Sequence, residues 1–486
     1  MGASKYNLIM LVGARVVGCL VLTAQLWAVD SKQCAVCHPT EAAALRLTGM
    51  GRSFRVAESG WPAATFMHKS SASQVAIRGK QHIVMSREGF TMSHEVTYAV
   101  GSGNVGTTFL VRIGDRLFES PASYYTTRSA WGVSPGYEND TVLDFSRPVP
   151  EECLFCHAGS VRFLSGSVNR YEYPPATLDG IACERCHGRG EEHVLKPSRR
   201  NIVHPGRLQG RPRDSVCEQC HLSGEARILQ PGRRWEDFVP GGVLEETWTV
   251  FVRQDQPVFR VTSHSEQLAA STCAQESGDA MWCGTCHNVH GQNKDYRAVC
   301  LSCHQLTISK DHRAKDNCVG CHMPRRAAAD GGHTPFTDHG IRRVPVSATG
   351  QDRTPNVLRP WHDAPNPERN LGLAYIQIGY KRMNADLVQK GFRVLAERQA
   401  EFQDDPEVMA ALGHVLHEKG RPREAAVLLA RAVALDGRNV LYRLNLGLAQ
   451  AAAGQTVHAR ETFEQLLRLD DSIVAARNAL QNLRDK

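Results

Sequence analysis

The chain has 486 residues, of which 42% are apolar and 22% are charged. This composition is ordinary for a soluble globular protein of two to four domains, and it excludes a chain that is disordered throughout. The formal net charge of +7 comes without a long basic run or interleaved aromatic residues, so no nucleic acid partner is indicated.

The N-terminal 30 residues have the pattern of a secretory leader. An apolar stretch runs from Leu8 to Ala28 and is broken by Arg15. The pattern predicts a signal peptide over 1–30, and therefore a periplasmic or extracytoplasmic protein. Two anchors remain as alternatives: an uncleaved membrane span, because about 20 apolar residues cross a bilayer, and a lipid on Cys19, because Val16 to Cys19 resembles a lipobox. Either anchor would attach the protein to a membrane.

The most informative feature of the chain is a Cys-x-x-Cys-His motif that occurs seven times. One turn of helix at this spacing lets two thiols bond to the vinyl groups of one haem while the next histidine binds its iron. The sequence therefore predicts seven covalent c-type haems. In chain order, motifs 1 to 7 are Cys34/Cys37/His38, Cys153/Cys156/His157, Cys183/Cys186/His187, Cys217/Cys220/His221, Cys283/Cys286/His287, Cys300/Cys303/His304 and Cys318/Cys321/His322.

Two other uses of paired cysteines compete with haem. Zinc ribbons and knuckles also combine Cys-x-x-Cys units with histidines, but zinc does not require a histidine directly after the second cysteine. Disulfides within Cys-x-x-Cys units are strained and easily reduced. Haem is therefore the predicted cofactor, and structural zinc is the alternative.

Residues 31–345 carry all seven motifs, and they are too few to surround each haem with an apolar core made of protein alone. We therefore expect the haems to pack against one another as the interior of a multihaem domain. The predicted fold is mainly α with irregular loops. A small β element is expected near 87–131, where Thr107 to Ile113 and neighbouring segments carry β-branched and aromatic residues between glycines.

A helical region is predicted at the C-terminus, over 365–486, after a linker at 346–364. Leu412 recurs as Leu446, and the same offset of 34 residues relates Leu429 to Phe463. This period is typical of the tetratricopeptide repeat, TPR, and predicts an α-helical solenoid of stacked hairpins. A plain antiparallel bundle is the alternative.

Each low-spin haem needs a sixth iron ligand, usually His or Met. Four of the histidines outside the motifs lie in or beside the helical repeats and are interpreted as packing or surface residues. His290 is too near His287 in sequence to reach the opposite face of the same haem, so we expect it to bind a neighbouring one, and His193 is similarly placed after His187. The ten candidates are His68, His82, His94, His193, His204, His264, His290, His312, His333 and His339.

Several segments together make the chain similar to multihaem c-type cytochromes that carry a C-terminal TPR domain. They include Gly101 to Asn104, Ser134 to Tyr137, Gly180 to Gly188, Trp282 to His287 and Thr337 to His339. The resemblance implies a periplasmic or cell-surface electron carrier. It also implies the distal ligand set His68, His193, His264, His290, His312, His333 and His339.

The chain departs from this resemblance at Val105, where such proteins often have a histidine. Either His82 or His94 then substitutes, or one iron is left open. The predicted function is electron transfer along the seven haems, with redox partner proteins docking on the TPR domain. The alternative is a multihaem reductase or oxidase of a small nitrogen or sulfur compound, which needs an open iron. An oligomeric or filamentous cytochrome is a further hypothesis.

Overall fold

The computed structural model describes residues 31–78, 82–159, 161–172, 180–254, 258–291, 294–304, 317–331, 334–343 and 357–484. The predicted leader, most of the predicted linker, and the candidate ligands His312 and His333 lie outside these residues. Within the described ranges, no helix combines the length and the apolar character needed to cross a membrane.

Strands dominate the part of the chain between motifs 1 and 2. The fourteen described strands are β1 Phe54–Val56, β2 Ala64–His68, β3 Ser73–Arg78, β4 His82–Arg87, β5 Phe90–Glu95, β6 Tyr98–Val100, β7 Thr107–Ile113, β8 Arg116–Tyr125, β9 Ala130–Val133, β10 Ala226–Leu229, β11 Trp248–Arg253, β12 Arg325–Ala327, β13 Pro335–Thr337 and β14 Leu358–Pro360.

These strands form four antiparallel sheets. Their orders are β1-β6-β7-β8-β9, β2-β3-β4-β5, β10-β11-β14 and β12-β13. The two large sheets share an apolar core that includes Val75 and Ile83 from one sheet and Phe109 and Val111 from the other. The β structure of the first half of the chain therefore holds itself together by its own apolar packing.

The prediction of a mainly α protein with one small β element near 87–131 is corrected by the two large sheets, whose nine strands lie between Phe54 and Val133. The missed strands are short, and one of them carries a signal that could have been found. β4 and β5 are joined by the two residues Glu88 and Gly89, both with positive φ, which is the geometry of a tight hairpin turn. Alternation along β2 is also visible in its burial pattern.

Helices carry the motifs and build the C-terminal region. The described α-helices are α1 Ser31–Cys37, α2 Pro39–Leu47, α3 Glu151–His157, α4 Glu184–His187, α5 Glu191–Leu195, α6 Gly210–His221, α7 His264–Ala269, α8 Thr272–Ser277, α9 Cys283–Cys286, α10 Tyr296–His304, α11 Cys318–His322, α12 Pro367–Lys381, α13 Ala385–Ala396, α14 Pro406–Glu418, α15 Pro422–Leu435, α16 Val440–Ala452, α17 Thr456–Leu469 and α18 Val474–Arg484.

The C-terminal helices pack as successive hairpins, α12 with α13, α14 with α15 and α16 with α17. Residues related by the 34-residue offset take equivalent places: Leu429 and Phe463 are both fully buried, and each lies against a glycine of the preceding helix. The helices α14 and α16 also begin alike, since the Asp405 and Asn439 side chains accept backbone N–H groups of their first turns. The helical repeat was thus predicted correctly as a structure.

The first helical hairpin is tied to the motif-bearing region. Apolar residues of β10 and β11, among them Ile228 and Phe251, share one core with α12 to α16. The Arg369 guanidinium donates to the Leu229 carbonyl at 2.7 Å, and the Asn370 amide donates to the Thr249 hydroxyl at 2.9 Å. The repeats therefore dock onto the three-stranded sheet that follows motif 4.

Candidate functional site

Each motif lies on a short helical turn. In motifs 1, 3 and 5 the histidine N–H donates to the carbonyl of the first cysteine, at 2.8 Å for His38 and 2.9 Å for His187 and His287. This hydrogen bond places both thiols and the imidazole on one turn of helix, as a covalent haem requires. None of the fourteen motif cysteines forms a disulfide in the part of the chain that the structure describes.

The motif thiols differ in their exposure to solvent. Cys37, Cys153, Cys303 and Cys321 are exposed, and the other ten motif cysteines are partly buried. The side chains of Cys300 and Cys318, the first cysteines of motifs 6 and 7, are in contact with each other. That Cys303 and Cys321 bind haem stays a prediction.

Two motif histidines have rings that lie nearly parallel to the rings of histidines from other parts of the chain. The rings of His38 and His193 have centroids 6.3 Å apart and planes 20° apart. The rings of His187 and His290 have centroids 5.9 Å apart and planes 13° apart. Two imidazoles on opposite sides of one iron have centroids about 6 Å apart, because each metal–nitrogen bond is about 2 Å long. Both pairs therefore fit the axial ligands of a haem.

A third pair, His287 and His339, has the same separation, with centroids 6.2 Å apart and planes 34° apart. His264 lies beside this pair. Its ring centroid is 4.5 Å from that of His339 and 4.8 Å from that of His221, and its ring is nearly perpendicular to both. His264 is thus brought to motif 4, but with its ring perpendicular to the motif histidine and closer to it than in the other pairs.

The remaining candidate ligands are placed differently. The ring centroid of His204 lies 6.3 Å from that of His187, and the two ring planes are 74° apart. His68 is buried at the end of β2, where the Ser71 N–H donates to its Nδ1 at 3.3 Å. Among the described residues, no ring contact joins His68, His82 or His94 to a motif histidine, and none joins His157 to another histidine. His94 instead packs on Phe145.

Backbone carbonyls orient four of the histidine imidazoles, and no sequence pattern could have predicted these contacts. The Nδ1 of His187 contacts the Val203 carbonyl at 2.7 Å, and that of His322 contacts the Arg342 carbonyl at 2.9 Å. His193 and His339 do the same with the carbonyls of Ser198 and Thr337. A carbonyl only accepts, so Nδ1 carries the proton and Nε2 is left free to bind a metal.

The imidazoles at the site are held neutral. Burial, followed by the neighbouring imidazoles, lowers the pKa of His221 to about 4 and that of His264 to about 2. Burial also lowers the pKa of His157, His187 and His287. Since only a neutral imidazole coordinates a metal, the chain keeps these side chains in the form that binds iron.

The motifs touch one another in a definite order. Thiols are in hydrogen-bond contact between motifs 1 and 3, 2 and 4, 4 and 5, and 6 and 7; the pairs are Cys34–Cys183, Cys156–Cys220, Cys217–Cys283 and Cys300–Cys318. Motifs 3 and 4 are joined by the Gln219 amide, which donates to the Arg185 carbonyl at 2.8 Å, and motifs 5 and 6 by contact of α9 with α10. All seven motifs therefore form one connected cluster.

The chain provides little apolar interior around motifs 5 to 7. Between Val252 and Leu373, Ala328 is the one apolar residue that is buried among those described. Thiols, neutral imidazoles and an interior without protein core fit covalent haem. In the described ranges, no group of three or more His, Cys, Asp or Glu side chains is arranged to hold a bare metal ion.

Comparison with known families gives a match over a short segment of the chain. Residues 137–188 match the family model described as cytochrome c554 and c-prime. The matched segment contains motifs 2 and 3 together with Tyr137, and cytochromes c hold their haem covalently through such motifs. The match supports the assignment of this part of the chain as a c-type cytochrome segment with covalently bound haem.

Individual proteins are similar over parts of the chain. A TPR repeat-containing thioredoxin, TTL4, of Arabidopsis thaliana is 32% identical over 102 residues, which are 21% of this chain. The chain spans about 15% of the length of this relative.

Two solved structures are also similar. The second TPR domain of human RPAP3, in complex with an HSP70 peptide, matches 24% of this chain and 97% of its own, with 17% identity and a TM-score of 0.23. The outer cell wall cytochrome OcwA matches 90% of this chain and 99% of its own, with 14% identity and a TM-score of 0.41.

Proposed function

We propose that the protein is an extracytoplasmic c-type cytochrome that carries electrons along seven haems held by its Cys-x-x-Cys-His motifs. The observation that carries this proposal is the placement of motif histidine rings nearly parallel to distant histidine rings, at the centroid separation of two axial ligands, as in His187 and His290. When bound, each haem supplies a one-electron iron couple that exchanges electrons with its neighbours.

Three sets of residues would hold each haem: the motif cysteines, the motif histidine and a distal histidine. The motif cysteines would hold the porphyrin, and each motif histidine would supply one imidazole to its iron. His193, His290 and His339 would supply the second imidazole at motifs 1, 3 and 5, and we assign His264 to motif 4. Because His193, His290 and His339 each follow a different motif from the one they would serve, ligation by these three cross-links neighbouring sites. His68, His312 and His333 remain the proposed ligands of the other motifs.

The contacts between motifs support a route for the electrons. Motifs 1, 3, 4, 5, 6 and 7 follow one another in space, and motif 2 joins this line at motif 4 through Cys156 and Cys220. Electrons entering at either end of the line would reach motif 2 as a side branch. Within this line, cysteine side chains are in contact between motifs 1 and 3, 4 and 5, and 6 and 7.

Docking of a redox partner protein is proposed for the later helical repeats. The α12 helix is already engaged by β10 and β11 of the same chain, through Arg369 and Asn370. The faces of α15 and α17 that carry Val427 and Val457 are left for a partner, since both side chains are exposed. Repeat solenoids commonly use such extended surfaces for binding.

A reductase or oxidase of a small nitrogen or sulfur compound is the second candidate. It requires an iron with an open position, and motif 2 is the place to look for it, because no histidine ring of the described residues contacts His157. The two proposals differ at this iron alone.

Spectra of the purified protein separate the candidates. A carrier gives only low-spin iron in the electron paramagnetic resonance spectrum of the oxidised protein, and carbon monoxide leaves the reduced absorption spectrum unchanged. An enzyme gives a high-spin signal amounting to one haem per chain, together with a carbon monoxide adduct of the same amount. The second result would overturn the carrier proposal.

A further inference from the structure

Motifs 2, 3 and 4 meet at one place, which we call the junction and define by Phe155, Arg185, Gln219, Arg227 and the Cys156–Cys220 contact. Three of these residues occupy the same position in their motifs, directly before the second cysteine. The Arg185 guanidinium of motif 3 lies over the Phe155 ring of motif 2, 4.2 Å from its centroid. Gln219 of motif 4 donates to the Arg185 carbonyl.

Arg227 enters the junction from β10. Its Nη1 lies 3.9 Å from the Cys156 sulfur and 3.2 Å from the Glu152 carboxylate, and its Nη2 donates to the Leu222 carbonyl at 2.7 Å. The Arg227 side chain is only 10% exposed, whereas that of Glu152 is 41% exposed. The cation is therefore less screened by solvent than the carboxylate that pairs with it.

Arg185 brings a second cation to motif 2. Its Nε is out of contact with solvent and has no hydrogen-bond partner among the described residues. Glu152 pairs with Arg227 at 3.2 Å. Glu151 and Glu184 act on Arg185 through electrostatic attraction, and no salt bridge to Arg185 is found among the described residues.

We infer that the positive charges of Arg185 and Arg227 raise the reduction potential of the haem at motif 2, so that electrons collect on this side branch. The inference rests on the proposed function. Reduction adds one negative charge to a haem, and a nearby buried cation stabilises the reduced form more than the oxidised form. Both arginines contact motif 2, one at Phe155 and one at Cys156, which are the two residues on either side of a single peptide bond.

The test is a spectroelectrochemical titration of the whole haem-loaded protein, following the haem absorbance against potential. In R185Q and R227Q, about one seventh of the absorbance change moves to lower potential, because one haem of seven is affected. E152Q moves the same fraction to higher potential, because it removes a negative charge and frees Arg227. R227K, which keeps the charge, restores the wild-type curve, and R233Q, which removes an exposed arginine charge, leaves it unchanged.

Superimposable curves for R185Q, R227Q and wild type would overturn the inference, as would a shift of E152Q in the same direction as R227Q. If Arg227 and Glu152 had a merely structural role, E152Q and R227Q would shift the potential in the same direction. If R227Q does not fold, R185Q still decides the question, since it lies on another element. Failure of the proposed function is recognised separately, because the wild-type protein would then show no reversible haem titration at all.

Discussion

The imidazole rings of His187 and His290 lie almost parallel, 13° apart, with centroids separated by 5.9 Å. His187 ends motif 3 and His290 follows motif 5, so one haem would be held by two distant parts of the chain. Removing such a ligand should change one iron and leave the fold of the other sites intact.

The H290A variant should therefore open one iron of seven. We expect a new high-spin signal and a carbon monoxide adduct, each amounting to about one seventh of the haem. Electron paramagnetic resonance and difference spectroscopy measure both. The matched control is H204A, which removes the other histidine near His187; its ring lies at 74° to that of His187, and its spectra should match the wild type. If H204A opened an iron and H290A did not, the ligand assignment at motif 3 would be wrong.

The ion pairs of the buried Arg369 should stabilise the packing of α12 on the start of α14. The Arg369 side chain is 3% exposed, its Nε donates to Asp405 at 2.5 Å and its Nη2 to Glu407 at 2.7 Å. The R369L variant leaves these carboxylates without their cation, so we expect a loss of about 3–5 kcal/mol in the free energy of unfolding. Chemical denaturation followed by circular dichroism measures it.

The R421A variant is the control for this prediction. Arg421 also pairs with a glutamate, Glu424, but its side chain is 52% exposed. Exposed pairs contribute little, so we expect R421A to unfold at the same denaturant concentration as the wild type. Equal effects of R369L and R421A would show that the buried network does not stabilise the protein.

Glu119 should make stability depend on pH. Burial raises the pKa of Glu119 to about 7, against the opposing effect of Arg147. Between the ordinary glutamate pKa of 4.5 and pH 7, the folded chain keeps a proton that the unfolded chain has lost. Stability is therefore highest below this window and falls as the pH rises through it, by about 2–3 kcal/mol.

The E119Q variant should flatten this dependence. Thermal unfolding midpoints measured from pH 4 to pH 8, about the range of the shift, would show a smaller fall with rising pH in E119Q than in the wild type. E88Q, at an exposed turn residue, should retain the wild-type slope. An E119Q profile as steep as that of the wild type would assign the pH dependence to other groups.

Gly447 should be intolerant of a side chain. A Cβ placed there would lie 2.5 Å from the Phe463 ring, inside normal contact distance, and Phe463 is fully buried. We expect G447A to lose about 1–3 kcal/mol in the free energy of unfolding. G437A is the matched control, because the nearest atom to its Cβ would be 3.4 Å away. Equal stability of the two variants would contradict the packing of α16 on α17.

The sequence allowed the helical repeats to be predicted because their period is local and repeats within the same chain. Leu412 and Leu446, for example, are both buried. The sheets between motifs 1 and 2 were mostly missed, because their strands are short and partly exposed. β5, for instance, has the sequence Phe-Thr-Met-Ser-His-Glu and is exposed along most of its length.

The motifs could be predicted from their spacing, whereas the pairing of distal histidines with motif histidines could be predicted only in part. His193 and His290 were expected to serve neighbouring haems because they stand too close to their own motifs. Which motif each one meets depends on tertiary folding over long sequence separations, which periodicity does not encode. The exposure of Cys303 and Cys321 depends on the same tertiary packing, since all motifs have one spacing and yet differ in burial.

The most direct test of the account is the intact mass of the mature, purified polypeptide under denaturing conditions. Covalent haem survives denaturation, so we predict the mass of the polypeptide plus seven haems. A polypeptide without haem adducts, which binds zinc in its native state, would contradict the central claim.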